Sequence, residues 1–288
     1  MTQAPRNALV LVATPIGNLG DLSPRAVEAL RDADVIAAED TRRTRALLTH
    51  AGVPAGGRLR AIHAHNERAG AQTIVDAVSS GKRVAYVTDA GMPGVSDPGE
   101  HLVRACLDAG LSVEVIPGPS AVLTALVLSG FPTDRFVFEG FLPRRGTARR
   151  ERIAAIGGER RTTVLFEAPN RVLATLSDLL AACGPLREVA VARELTKMYE
   201  EVWRGELSDA VGNVGAKEPR GEYVLVLGPA PEPPAASDDE VDAHVQAALA
   251  EGLSTRDAAA RVARDLHVPR RRVYDTATRL RQAMKSQK

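Results

Sequence analysis

VAYVTDAGMPGVSDPG, residues 84 to 99, runs an apolar segment straight into a loop holding three glycines, two prolines and two aspartates. Val84, Ala85, Tyr86 and Val87 read as a short buried strand. Gly91, Gly94 and Gly99 permit backbone angles and close approaches that a Cβ would forbid, while Pro93 and Pro98 limit the loop's freedom. Such a loop suits the presentation of peptide N–H and C=O groups to a small polar ligand. An ordinary strand-to-helix turn is the plain alternative, since Gly and Pro are the usual punctuation there. A second loop of the same kind argues against it: LSVEVI (111 to 116) is followed by PGPSA (117 to 121) and the apolar run VLTALVL. Two glycine loops at the carboxyl ends of neighbouring parallel strands make the crevice where open α/β sheets bind ligands.

Outward from this stretch, strand-like and helical patterns alternate. ALVLVAT (8 to 14), a helix from Ser23, DVIAAE (34 to 39), a helix from Thr41, RLRAIHA (58 to 64) and a helix from Glu67 precede it. That alternation predicts a mostly parallel sheet flanked by helices. The pattern breaks at SGFPTD (129 to 134), and more strand with fewer helices follows. The expected organisation is α/β: a parallel-sheet N-terminal domain (1–130), a mixed-sheet second domain (131–229), a Pro-rich linker (230–239) and a helical, helix-turn-helix-like C-terminal domain (240–288).

The chain has 288 residues, 44% hydrophobic and 25% charged, the balance of a globular protein with about two domains. A net charge of +1 excludes a uniformly basic coat, so a polyanion must be met by local patches. One is the set Arg144, Arg145, Arg149, Arg150, Arg152, Arg160 and Arg161, beside only Glu151 and Glu159. Another is the tail from Ser254, with ten Lys/Arg against three Asp/Glu. Solvated helices are the plain reading of both. Cys106 and Cys183 fall in separate helical segments without metal-ligand spacing, so neither zinc nor a disulfide is expected, and a reducing cytoplasm fits best. No apolar run has membrane-spanning length, so no membrane association is expected. A P-loop and a dinucleotide-binding G-x-G-x-x-G are both missing.

Polar clusters stand at further strand ends: AEDTRR (38 to 43), HAHNE (63 to 67) and FEAPNR (166 to 171). ARELTKMYEE (192 to 201) adds Arg193, Glu194 and Lys197. Helix caps, turns and internal ion pairs account for some of these: Asp40, Thr41 and Arg42 can each cap the next helix, with Thr41 the favoured cap.

ATPIGNLGD, AEDTRR, HNE, TDAGMPGVSDPG, PGPSA, GFLPRRG, FEAPNR, ARELTK and RGEYVLVL occur in this order over about residues 7 to 228. In order and spacing the chain resembles the bacterial small-subunit ribosomal RNA cytidine 2′-O-methyltransferase (RsmI) family of the tetrapyrrole methylase superfamily. Met92 departs from the family, which usually shows Thr, and this suits a loop that works through its backbone.

The resemblance implies S-adenosylmethionine as methyl donor in a cleft between two domains, with no metal. Pro15, Asp89, Gly91, Met92, Val95, Ser96, Ser120, Ala121 and Phe166 are its implied neighbours. The implied substrate is a cytidine ribose in the decoding region of 16S rRNA within the small ribosomal subunit, and the implied assembly is a homodimer. A ribose hydroxyl is a poor nucleophile until its proton is removed, so a base or a stabilising cation is needed. Glu167, Lys197, Asp40 and His65 are the candidates, while the glycine-shaped backbone accounts for the 88–99 loop without a catalytic role for its own aspartates. Arg144, Arg145, Arg149, Arg150 and Arg171 are the candidate RNA contacts. A porphyrinoid C-methyltransferase and a ligand-sensing DNA-binding regulator are the alternatives.

Overall fold

The apolar segments of the first half form five strands: β1 (Ala8–Val12), β2 (Val35–Ala38), β3 (Leu59–Ala61), β4 (Val84–Val87) and β5 (Ser112–Ile116). The computed structural model describes residues 7–216, 218–232 and 236–286. Its first sheet is wholly parallel, in the order β3-β2-β4-β1-β5. Because side chains alternate along a strand, β1 serves two cores. Val10 and Val12 pack on one face with Ala26 and Leu30 of α1 (Pro24–Asp32). Leu9 and Leu11 pack on the other with Ile74 of α3 (Glu67–Ser79) and Leu102 of α4 (Glu100–Asp108).

The remaining helices of this half are α2 (Thr41–His50) and α5 (Ala121–Ser129). Ser23 caps α1 as its sequence position predicts, accepting from Ala26 N. The cap of α2 is a correction: it is Asp40, whose carboxylate accepts from Arg42 N at 2.8 Å, and Thr41 is the first helical residue. The strand expected over 58–64 stops at Ala61, because Asn66 folds back on the chain. Its Oδ1 accepts from His63 N at 2.7 Å while its own N–H donates to His63 O, closing a turn.

The second sheet has the order β6-β7-β10-β8-β9. Its strands are β6 (Phe136–Phe141), β7 (Thr162–Glu167), β8 (Glu188–Arg193), β9 (Glu201–Glu206) and β10 (Tyr223–Leu227). Only β6 and β7 run parallel, so the sheet is mixed. It has the same number of strands as the first sheet, but most are longer, so it carries more strand as the sequence pattern predicts. Helices α6 (Thr147–Gly158), α7 (Val172–Cys183) and α8 (Leu207–Gly215) cover one face.

The other face of this sheet is covered by α5, whose Val122, Ala125 and Leu126 pack with Val164, Ala190, Val224 and Ile16. A helix that leaves the first sheet therefore supplies the core of the second. This is why residues up to Ala230 form one compact unit, instead of dividing near residue 130 as the sequence pattern predicts.

Residues from Pro231 form the other unit. It holds α9 (Asp238–Ala250), α10 (Thr255–Asp265) and α11 (Arg270–Ser286) around Val245, Ala259, Val262 and Val273. A capping box between Ser237 and Glu240 starts α9. His267, in the left-handed region at φ 52°, turns the chain between α10 and α11. Of the expected linker, residues 233–235 lie outside the described residues. No helix among the described residues is long and apolar enough to cross a membrane.

Candidate active site

The carboxyl ends of β1, β4 and β5 lie side by side, which brings the ATPIG, TDAGMPG and PGPSA loops together. Thr14 and Gly91 exchange backbone hydrogen bonds of 2.9 and 3.0 Å, locking the first two loops to each other. Gly91 sits at φ +80°, where a side chain would be strained. Against these loops stand the ends of β6 and β7 and the start of β10. The space between them is a cavity of about 360 Å³.

Its walls carry seven of the nine residues expected to hold the methyl donor: Gly91, Met92, Val95, Ser96, Ser120, Ala121 and Phe166. Pro15 and Asp89 are not in the wall. Pro15 is buried and delivers the next residue, Ile16, to it. Asp89 turns aside to pair with Arg43 at 3.4 Å. Ser120 also caps α5, accepting from Leu123 N. Asp97, Phe141, Glu222 and Tyr223 also line the wall and were not named from the sequence, although the resemblance implied further contacts near the last strands. Asp97 stands inside the stretch read as backbone alone; the other three belong to segments whose position depends on the second sheet folding over the first. Phe166 meets Phe138 edge-on at 5.1 Å and Phe141 at 5.6 Å, so three of the chain's five phenylalanines gather here.

The loop after β4 is held from a distance. Glu67 is buried, and its Oε1 accepts from Gly99 N (2.8 Å), His101 N (2.9 Å) and Leu102 N (3.3 Å). These are the open N–H groups of the first turn of α4. Gly99, the N-cap, has no side chain to satisfy them and can have none: at φ +142° its Cβ would meet Gly94 N at 3.0 Å and Tyr86 at 3.3 Å. The last residue of the HNE motif is thus the cap of a helix thirty-odd residues away, a role with no local signal.

The candidate bases disperse. Asp40 is fastened to Arg42, and those hydrogen bonds hold its carboxyl at about 2, far too acidic for a base near neutrality. His65 is exposed, packs edge-on against His63 and is not in the cavity wall. Lys197 donates to Glu194 (2.8 Å) and Glu222 (3.0 Å). Burial alone would lower its pKa, but these two carboxylates raise it above the usual lysine range, so Lys197 is a fixed cation. It also braces the site, since a Cβ on Gly17 would fall 2.5 Å from Lys197 Cγ. Glu167 lies in the wall, yet both oxygens are engaged. Oε1 accepts from Ala168 N (2.9 Å) and pairs with Arg171 Nε (3.2 Å), and Oε2 accepts from Thr175 (2.6 Å).

The arginines divide as sharply. Arg149 is almost covered: it pairs with Asp178 at 2.7 Å and donates to Thr175 and Pro143 O, so it ties α6 to α7. Arg171 spends its fork on Glu167 and Leu142 O. Arg152 pairs with Glu139, and Arg161 with Glu159. Arg144, Arg145 and Arg150 are exposed and make no ion pair among the described residues; Arg150 only reaches Thr147 in its own helix. They surround the start of α6, where Gly146 at φ +87° leaves the first-turn N–H groups without a side-chain cap. Uncapped N–H groups beside three exposed guanidinium groups without ion pairs suit phosphate. Among the described residues no cluster of His, Cys, Asp and Glu could hold a metal ion.

Comparison with known proteins places this geometry. Residues 8–211 match the family model described as Tetrapyrrole (Corrin/Porphyrin) Methylases, and residues 235–281 match the RsmI C-terminal HTH domain. The chain is 44% identical to a Synechocystis protein named ribosomal RNA small subunit methyltransferase I, over 94% of this chain and 98% of the relative. Proteins of the same name from Xylella fastidiosa (92% of this chain, 97% of the relative) and Mycobacterium bovis (88% of each) are each 46% identical. Among solved structures, a uroporphyrin-III C-methyltransferase from Thermus thermophilus superposes with a TM-score of 0.56 at 22% identity, covering 77% of this chain and 94% of that one. A cobalt precorrin-4 methyltransferase gives 0.59 at 18%, covering 79% and 98%. At those identities the structures share the fold.

Proposed function

Because the chain belongs to the tetrapyrrole methylase family and, within it, to the ribosomal RNA small subunit methyltransferase I proteins, we propose that it methylates a cytidine 2′-hydroxyl in the decoding region of 16S rRNA, using S-adenosylmethionine. The observation that carries this reading is the cavity between glycine-shaped loops and phenylalanines, with exposed arginines on the chain that leaves its wall at Phe141. Of the alternatives, porphyrinoid methylation has only the shared fold in its favour, and fold does not fix substrate. A ligand-sensing regulator has no support among relatives named as methyltransferases over nearly their whole length.

The residues present fit the methyl donor. The cavity has the volume of a small cofactor and its walls are largely apolar. Bound there, S-adenosylmethionine supplies an activated methyl group whose sulfonium charge disappears on transfer, and a water-poor pocket favours that loss. Ile16, Val95, Phe166 and Val224 exclude water. The Thr14–Gly91 bridge and the Glu67 cap hold the loop to one shape, so orientation is set before the substrate arrives. Arg144, Arg145 and Arg150 with the start of α6 hold the RNA backbone.

Incubation with labelled S-adenosylmethionine and unmodified small subunits should place label in one nucleoside, released by digestion as 2′-O-methylcytidine. Label on a base carbon, or transfer only to a porphyrinoid, would sink the reading. The same reading has the protein act in the cytoplasm as a homodimer. What favours pairing is the outer surface of α5 and the edge strand β5, where Val115, Leu123 and Val127 are at least half exposed. Sedimentation equilibrium should give twice the chain mass; a monomer at micromolar concentration would contradict it.

A further inference from the structure

Four ionisable side chains line the cavity: Asp97, Glu167, Glu222 and Tyr223. The oxygens of Glu167 are taken by Ala168, Arg171 and Thr175. Glu222 is bound to Lys197, with its side chain 72% exposed. Tyr223 is buried in β10. Asp97 alone is partly buried at the wall and free of any ion pair among the described residues. Its place is set by the backbone on both sides. Ser96 is held in the left-handed region at φ 62°, a costly conformation for a residue with a Cβ, and Pro98 follows directly. The carbonyl of Pro98 then accepts from Gly94 N, which closes the loop on itself.

We propose that Asp97 is the general base of the reaction, a catalytic residue that takes the proton of the ribose 2′-hydroxyl during methyl transfer. This rests on the ribose-methylation reading above. The hydroxyl oxygen forms its bond to the methyl carbon as its proton passes to the Asp97 carboxylate. The electron pair of the broken carbon–sulfur bond stays on sulfur, leaving a neutral thioether, and Asp97 afterwards yields the proton to solvent.

The surroundings suit that task. Burial pushes the Asp97 carboxyl up to about 7; the charges of Glu39 at the end of β2 and Asp89 at the end of β4 push the same way, the Thr88 hydroxyl pulls against them, and Glu222 adds a smaller push. Of its acidic neighbours, Asp89 is paired with Arg43 and Glu222 with Lys197, while Asp97 itself has no ion pair among the described residues. A base poised near the working pH is both ionised and strong enough to accept the proton.

Single-turnover methylation of small subunits tests this with the full chain. The wild-type rate should rise about tenfold per pH unit and level off above about 7. Asp97→Asn should be slower by about a hundredfold to ten-thousandfold, with the calorimetric Kd for S-adenosylmethionine changed by less than about threefold. Asp97→Glu should recover part of the rate. Unfolding of the ligand-free protein gives a second readout. Between about pH 4 and 7 the native state keeps a proton that the unfolded chain releases, so the carboxyl costs stability as pH rises through that window. Asp97→Asn should therefore raise the Tm at pH 8 by a few degrees and leave it unchanged at pH 4.

A fully active Asp97→Asn enzyme, a flat wild-type pH profile, a lost cofactor affinity or an unchanged Tm at pH 8 would each overturn the assignment. If the variant does not fold, the wild-type profile decides. Wild-type protein that transfers no methyl group to subunits removes the ribose-methylation reading itself, whereas equal rates in wild type and variant remove only Asp97.

Discussion

Glu67→Ala should unfold the methyltransferase unit at a temperature lower by roughly 6 to 12 °C. The cause is that three backbone N–H groups lose their acceptor, those of Gly99 and Leu102 buried and that of His101 part-buried. Leaving buried donors unsatisfied costs about 1–3 kcal/mol each before relaxation, so a net loss of about 3 kcal/mol is a conservative sum. In a unit of this size each kcal/mol moves the midpoint by about 2–4 °C. Glu67→Gln keeps an acceptor oxygen and loses the charge that favours a helix N-terminus, so it should fall between wild type and alanine. Calorimetry of the three proteins checks the order, and an alanine variant within about 2 °C of wild type would contradict it. Because Glu67 pins the loop that carries Gly91 to Asp97, the alanine variant should also bind S-adenosylmethionine more weakly at temperatures where it is still folded.

The same residue shows where the sequence could be read and where it could not. Strand-helix alternation is a local property, and so are the glycines and prolines that follow β4 and β5; both order of elements and position of the crevice were legible from them. Side-chain assignments were not. Asp40 and Glu67 stand in similar polar clusters after strands, yet one caps its own helix and the other caps α4. The difference lies in the positive φ of Gly99, which no neighbour of Glu67 in the sequence reports. Asp97 was hidden by its own loop, whose glycines explained the stretch without it; the burial and the gathering of Glu39, Asp89 and Glu222 that raise its basicity are tertiary. The apolar pattern of α5 likewise does not tell which sheet it covers, so its packing on the second sheet was not legible either.

The arginines make the sharpest case, because seven look alike in the sequence and the structure separates them. Replacing Arg144, Arg145 and Arg150 together by alanine should weaken RNA binding by about ten- to a thousandfold at moderate salt, while the Tm stays within about 2 °C. For every phosphate that no longer meets a guanidinium, the dependence of log affinity on log salt concentration should flatten by about 0.7 to 0.9, so the triple variant should lose roughly two units of slope. Arg149→Ala should behave in the opposite way. Its guanidinium sits between α6 and α7 with Asp178 and Thr175, so its removal strips a partly buried pair and should lower the Tm with little change in slope. Filter binding of an rRNA fragment across a salt series, beside thermal melts of both variants, separates the two outcomes. If the triple variant keeps the wild-type slope, RNA is not gripped at the start of α6. The basic helices of the C-terminal unit, where Arg272 and Arg279 are paired with Asp238 and Asp242 but Arg270 and Arg271 make no ion pair among the described residues, would then be the next surface to mutate.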